Sequence, residues 1–190
     1  MNRLATLAVV GSALLAAHAH AEIRTYITFM DGASEFPPVP TPGTGSGTLT
    51  IDTTLNTMRV QATFQDLVGT VTVAHIHGPT AVALTGTAGV MTPTPTFPGF
   101  PVGVTSGSYD MTFDMTLASS YNPSFVTAQG SVANARAVLF QAVADGKSYL
   151  NIHTTFSGSG EIRGFWVVPA PAGLGLLATA GLLGTRRRRA

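Results

Sequence analysis

Tyr109-Asp110-Met111-Thr112-Phe113-Asp114-Met115-Thr116-Leu117 carries the clearest structural signal in the chain. Met111, Phe113, Met115 and Leu117 fall on one side of an extended backbone, and Asp110, Thr112, Asp114 and Thr116 fall on the other. Successive side chains of a strand point to opposite faces. Sustained alternation therefore predicts an antiparallel strand with one face buried and one in water.

The sequence on either side repeats the theme. Ile23 to Met30 is rich in β-formers, Thr48 to Ile51 and Met58 to Phe64 read as a hairpin around 52–57, and Val71 to His77 is a further strand. Ser148 to Thr154 and Glu161 to Val167 form a second hairpin across Ser157-Gly158-Ser159-Gly160. Two stretches break the pattern. Glu35 to Gly47 is a Pro/Gly loop and is not expected to be a central strand. Thr80 to Ser108 is long and irregular, with Pro93, Pro95, Pro98 and Pro101 close together. Ser131 to Ala144 has helical spacing, with Gly146 placed to cap its end. About seven short strands with Gly/Pro turns predict an all-β fold, an antiparallel sandwich or barrel of the immunoglobulin type, with one short helix.

The 190 residues suffice for one domain with short extras. Only 10% are charged, which excludes a coiled coil or charged helical bundle. Ten basic residues face nine acidic ones, but Arg3 and Arg186 to Arg189 stand at the ends. From Glu22 to Val168 five basic residues meet all nine acidic ones, so the domain is about four units negative and nucleic acid is excluded as a partner. There is no cysteine, so neither a disulfide nor thiol chemistry is available.

The two ends read as addresses. Arg3, the apolar run Leu4 to Ala17, and small Ala19 and Ala21 around His20 form the three parts of a secretory signal peptide, with cleavage by signal peptidase after Ala21. At the other end, Ala172 to Gly184 is apolar and Arg186, Arg187, Arg188 and Arg189 follow it. Such a segment predicts a transmembrane helix with the arginines on the cytoplasmic side. Val168-Pro169-Ala170-Pro171, then this helix, then the arginines, resembles a PEP-CTERM sorting signal, although Ala170 stands where the family's glutamate usually stands. The resemblance implies an exosortase-type processing enzyme, transient membrane anchoring, and delivery to the cell surface or extracellular matrix. The expected organisation is thus a signal peptide at 1–21, a domain at 22–167 and a sorting signal at 168–190.

Three ordered motifs mark the domain: Glu35-Phe36-Pro37-Pro38-Val39, Ala74-His75-Ile76-His77-Gly78-Pro79, and Tyr149-Leu150-Asn151-Ile152-His153-Thr154 followed by Gly160-Glu161-Ile162-Arg163-Gly164. Together they resemble the CHRD domain, named after chordin and found also in bacterial exported proteins. The resemblance spans roughly Ile23 to Trp166. It implies an immunoglobulin-like β-sandwich related to copper/zinc superoxide dismutases, and no settled activity.

Outside the signal peptide the chain has three histidines, all inside these motifs. His75 and His77 are two apart on a strand, so their imidazoles share a face, and His153 lies on another strand. Three imidazoles can hold copper or zinc and leave a position open for water or substrate. The alternative is structural hydrogen bonding to Glu161, Asn151 or backbone groups. Glu161 and Arg163 likewise share a face. They either orient a histidine from behind, or form a cross-strand ion pair with a residue such as Asp66. Trp166 either closes the core or sits at the membrane interface.

No catalytic set is marked. Phosphate loops, nucleophile elbows and His-Glu-x-x-His helices are absent from the sequence. The leading expectation is a non-enzymatic, surface- or matrix-directed binding or structural module. A copper- or zinc-binding protein with a redox role is the second reading. A module recognising exopolysaccharide or surface proteins through the 80–108 loop is the third.

Overall fold

Apolar residues two apart recur along the hairpin at 44–65. Leu49 and Ile51 on one arm and Met58, Val60, Ala62 and Phe64 on the other are all buried, while their neighbours face water. Burying each large side chain contributes about 1.5–3 kcal/mol, which sets the register of the whole sheet. The computed structural model describes residues 22–170. Its strands in chain order are β1 (Ile23–Asp31), β2 (Thr44–Asp52), β3 (Thr57–Gln65), β4 (Val71–His77), β5 (Gly107–Asp114), β6 (Tyr149–Thr154) and β7 (Ile162–Phe165). Two helices, α1 (Pro123–Gln129) and α2 (Val132–Ala144), and a 3₁₀ turn at Ala118–Ser120 lie between β5 and β6.

All strand pairings are antiparallel, in the order β4-β6-β7-β1-β2-β3-β5. Register carries one row of side chains straight across four strands: Ile27 faces Thr48, Thr48 faces Gln61, and Gln61 faces Asp110. One hydrophobic core contains Ala74 and Ile76 of the edge strand β4 together with Tyr109 and Phe113 of the opposite edge, β5. The sheet therefore wraps around a single core. Phe97 and Phe100, from the connection between β4 and β5, pack against Tyr109 with ring centroids 5.5 and 5.0 Å away. The Phe97 amide donates to the Ala74 carbonyl. The 80–108 stretch is irregular, as expected, and it fills the gap between the two edges.

The all-β antiparallel fold is as expected of a sandwich or barrel, and its strands are continuous as one seven-stranded sheet. The halves join where β7 reaches β1, through Asp31 opposite Arg163 and a bridge between Ile27 and Val167. Gly164 permits that approach, because a Cβ there would lie 2.1 Å from the Phe29 carbonyl oxygen. A correction concerns 35–47. The prolines stay in a loop, but Thr44 to Gly47 extend β2, a central strand. Gly45 and Gly47 belong in that strand because Cβ atoms there would meet Met30 and Trp166.

Two helices form where one was expected. α2 matches the prediction, with the Ser131 side chain accepting from the Asn134 amide and Gly146 at φ +65° beyond the end. α1 was missed, although Asn122 caps it and Pro123 opens it. The strand at 109–117 ends at Asp114, whose Oδ1 accepts from the amide and hydroxyl of Thr116 and turns the chain. Leu117 is consequently exposed, while Phe113 and Met115 are buried as expected. Trp166 is fully buried, which places it in the core.

Candidate metal centre

β4 presents Ala74 and Ile76 to the core, so the residues between and beyond them, His75 and His77, point to the opposite side. β6 pairs with β4 so that His75 faces Asn151 and His77 faces Tyr149, while His153 faces Val73 one step away. The same alternation sends Leu150 and Ile152 into the core. Every residue of β6 is nevertheless buried, because its other face lies under a second, polar layer.

Loops roof that layer. His77 Nδ1 bonds the Ala88 carbonyl oxygen at 2.8 Å, and the Ala88 amide donates to Tyr149 Oη at 3.3 Å. Arg163 is nearly fully buried, donates to the carbonyls of Ser34 and Gly86, and lies 3.8 Å from the Glu35 carboxylate. Its guanidinium rests 4.7 Å from the Tyr149 ring centroid, and that ring stacks in parallel on His77 at 4.9 Å. Arg163 thus clamps the 32–36 and 84–90 segments over the histidines.

The three imidazoles converge. Ring centroids are 4.7 Å apart for His75 and His77, 4.7 Å for His75 and His153, and 5.7 Å for His77 and His153. The nitrogens available as ligands lie within 4.8 Å of one another. His153 Nδ1 bonds the Gly158 carbonyl at 3.0 Å. A carbonyl only accepts, so His77 and His153 both carry the proton on Nδ1 and leave Nε2 as a lone pair. Those two Nε2 atoms, and Nδ1 of His75, are buried and have no hydrogen-bond partner. Buried polar atoms are normally paired, so three orphans at one place call for a ligand.

Electrostatics keep these rings neutral. Burial, and then the proximity of His77 and His153, lowers His75 to about 3. Burial also lowers His77 to about 4, against the raising effect of its bond to Ala88, and burial lowers His153. Neutral imidazole is the form that binds metal. Zinc–nitrogen bonds of about 2.0–2.1 Å put tetrahedral ligand nitrogens about 3.4 Å apart. The candidate nitrogens here lie within 4.8 Å of one another, so a tetrahedral ion would have to draw them together. Three neutral imidazoles are a donor set that copper and zinc accept.

The CHRD domain family model matches residues 26–166. The chain belongs to the CHRD domain family. No curated protein and no solved structure matches it. The CHRD region holds all three histidines, together with Glu35, Glu161 and Arg163.

Within this CHRD domain the two charged residues act differently from expectation. Glu161 bonds no histidine. Its Oε1 accepts from Thr41 Oγ1 at 2.6 Å and the Val68 amide at 2.7 Å, and its Oε2 accepts from Thr154 Oγ1 at 2.6 Å and the Gly69 amide at 3.1 Å. It pins three chain segments beside the site. Arg163 pairs with Glu35 and not with Asp66, because it points into the roofed layer, whereas Asp66 is exposed just beyond β3 and bonded to Gln65. The groups that orient the histidines are backbone carbonyls, which no side-chain pattern could mark. Tyr149 was missed as a site residue, whereas Asn151 was expected only as a hydrogen-bond partner of the histidines. Both stand on the His153 face of β6, at two and four positions before it, and that spacing was the available signal.

The sorting motif is only partly visible. Val168, Pro169 and Ala170 follow the last bridge of the sheet as irregular, largely accessible chain. Ala19, Ala21, Pro171, Arg186, Arg187, Arg188 and Arg189 lie outside the described residues, as does the expected transmembrane segment. Among the described residues no helix is long and apolar enough to cross a membrane.

Proposed function

We propose that this CHRD domain is an exported, non-enzymatic metal-binding module in which His75, His77 and His153 hold one copper or zinc ion. One observation carries the reading: three histidines, each with a buried ring nitrogen that has no partner, bring candidate ligand atoms within 4.8 Å of one another. A bound ion supplies a coordination position that three protein ligands leave open. The protein's own part is to hold the rings. Ala88 and Gly158 fix two tautomers, Tyr149 braces His77, and Arg163 keeps the roof closed.

Support for the setting comes from the ends of the sequence. A three-part leader ending at Ala21 favours export, and the 168–190 pattern favours membrane anchoring followed by exosortase-type release to the surface or matrix. Copper and zinc both suit imidazole donors.

Among the described residues every core residue falls between Tyr26 and Trp166, so the segment 22–170 carries that core whole. That segment, purified without a histidine tag and supplied with one equivalent of zinc or copper, is expected to retain close to one ion after gel filtration. The H75A/H77A/H153A variant, shown to be folded by circular dichroism, is expected to retain none. Equal metal in both proteins, or none in either, would overturn the proposal.

A further inference from the structure

On the far side of the domain from the histidines, the outward face of β1, β2, β3 and β5 is unlike an ordinary exposed sheet. Its cross-strand rows carry threonine and serine more than any other type, with Gln61, Gln65 and Arg59 and with Asp31, Asp52, Asp110 and Asp114 among them. Phe29 stands on it 74% exposed. The backbone beneath this ring is fully ordered in the sheet, and the flanking residues Thr28 and Met30 point into the interior. Phe29 therefore contributes little to the core, and its ring is open to whatever lies on this face.

Two depressions of about 540 and 320 Å³ adjoin on this face, and both are lined by Phe29, Ser46 and Thr63. The larger also reaches Thr48, Gln61 and Asp110. The ring thus stands astride a trough walled by hydroxyls, an amide and a carboxylate. The charge is largely spoken for. Arg59 makes two bonds to Asp110, at 2.8 and 2.5 Å, and Gln61 adds a third at 3.2 Å. Among the described residues no unpaired cation faces the trough, while Asp52 and Asp114 flank the same sheet face.

A ligand for this surface needs an apolar patch to lie on the ring, many hydroxyls to match Ser46, Thr48, Gln61 and Thr63, and no negative charge. An apolar protein partner would need more than isolated Phe29, Ile27 and Ile23, and a nucleic acid or anionic membrane would be repelled. Pyranose rings have one flat, apolar C–H face and a polar rim, which fits the aromatic face and its surround. We propose that the outer face of β1–β2–β3–β5 binds a neutral polysaccharide chain, with Phe29 as the platform for one sugar ring and Ser46, Gln61 and Thr63 bonding its neighbours. The site is separate from the histidines and from the 80–108 loop.

The test is native affinity electrophoresis of residues 22–170 through gels containing hydroxyethylcellulose, dextran, xylan or alginate. Retardation by at least one neutral polysaccharide is expected, with none by the polyanion alginate. Phe29→Ala, at an exposed position, is expected to weaken that binding at least about tenfold, with Gln61→Ala as a second variant on the same wall. The histidine triple variant should bind the polysaccharide unchanged. No retardation by any neutral polysaccharide, stronger retardation by alginate, or unaltered binding by both variants would overturn the assignment.

Discussion

Replacing Glu161 by alanine should unfold this domain more readily than any other single charge removal. The carboxylate is fully buried and accepts four hydrogen bonds at 2.6 to 3.1 Å. Thr41 and Thr154 can turn their hydroxyls elsewhere, but the amides of Val68 and Gly69 cannot move without moving the chain. Each stranded buried donor costs about 1–3 kcal/mol, and each lost bond to a charged acceptor about 1.5–3 kcal/mol. Relief from burying the carboxylate offsets part of this. The expected net loss is about 4 kcal/mol for Glu161→Ala, and about 2 kcal/mol for Glu161→Gln, which keeps one acceptor. Urea unfolding of residues 22–170 measures both. The effect should also depend on pH. Burial pushes this carboxyl up, but its four donors outweigh burial and hold it below the ordinary 4.5. The unfolded chain then takes up the proton first as pH falls, so the stabilisation is present above pH 4.5 and is lost as pH drops through the folded value. The glutamine variant should lack that acid loss. A cost below about 1 kcal/mol for Glu161→Ala, or identical acid profiles for parent and Glu161→Gln, would refute the reasoning.

Three further outcomes are expected. Burial beside Arg163 raises the Glu35 carboxyl to about 7, with burial dominant over the guanidinium's attraction; the folded state therefore favours the protonated form, and stability present below pH 4.5 should fall as pH rises through 7. Glu35→Gln should match the parent near pH 4 and exceed it by up to about 3 kcal/mol at pH 8, and a parent no weaker than the variant at pH 8 would contradict this. Because His75 and His77 protonate only near 3 and 4, zinc affinity measured by competition should change little between pH 5.5 and 7.5; a fall beginning at pH 6.5, as for exposed imidazole, would show that the rings are not held neutral. Gly164→Ala places a Cβ 2.1 Å from the Phe29 carbonyl, so it should part β7 from β1 and abolish the folded state or lower its stability by at least about 3 kcal/mol, read by circular dichroism melting.

What the sequence made legible was what alternation encodes. Val71 to His77 is a strand with the predicted bounds, and His75, His77 and His153 meet because a period of two fixes their faces. The helix at 132–144 announced itself by spacing and caps. The closure of the sheet was not legible. It depends on Gly164, Gly45 and Gly47, whose value lies in atoms they do not have, opposite Phe29, Met30 and Trp166, 15 to 135 residues away. The roles of Glu161 and Arg163 were hidden for a similar reason. Their partners, Thr41, Val68, Gly69, Glu35 and Gly86, sit in irregular loops whose positions only the tertiary fold sets.

The most direct test of the central claim is a crystal of residues 22–170 soaked in zinc or copper, with anomalous data collected at the metal's absorption edge. The account predicts one strong peak about 2.0–2.1 Å from a ring nitrogen of each of His75, His77 and His153. No peak there, or a peak only at surface carboxylates, would contradict it.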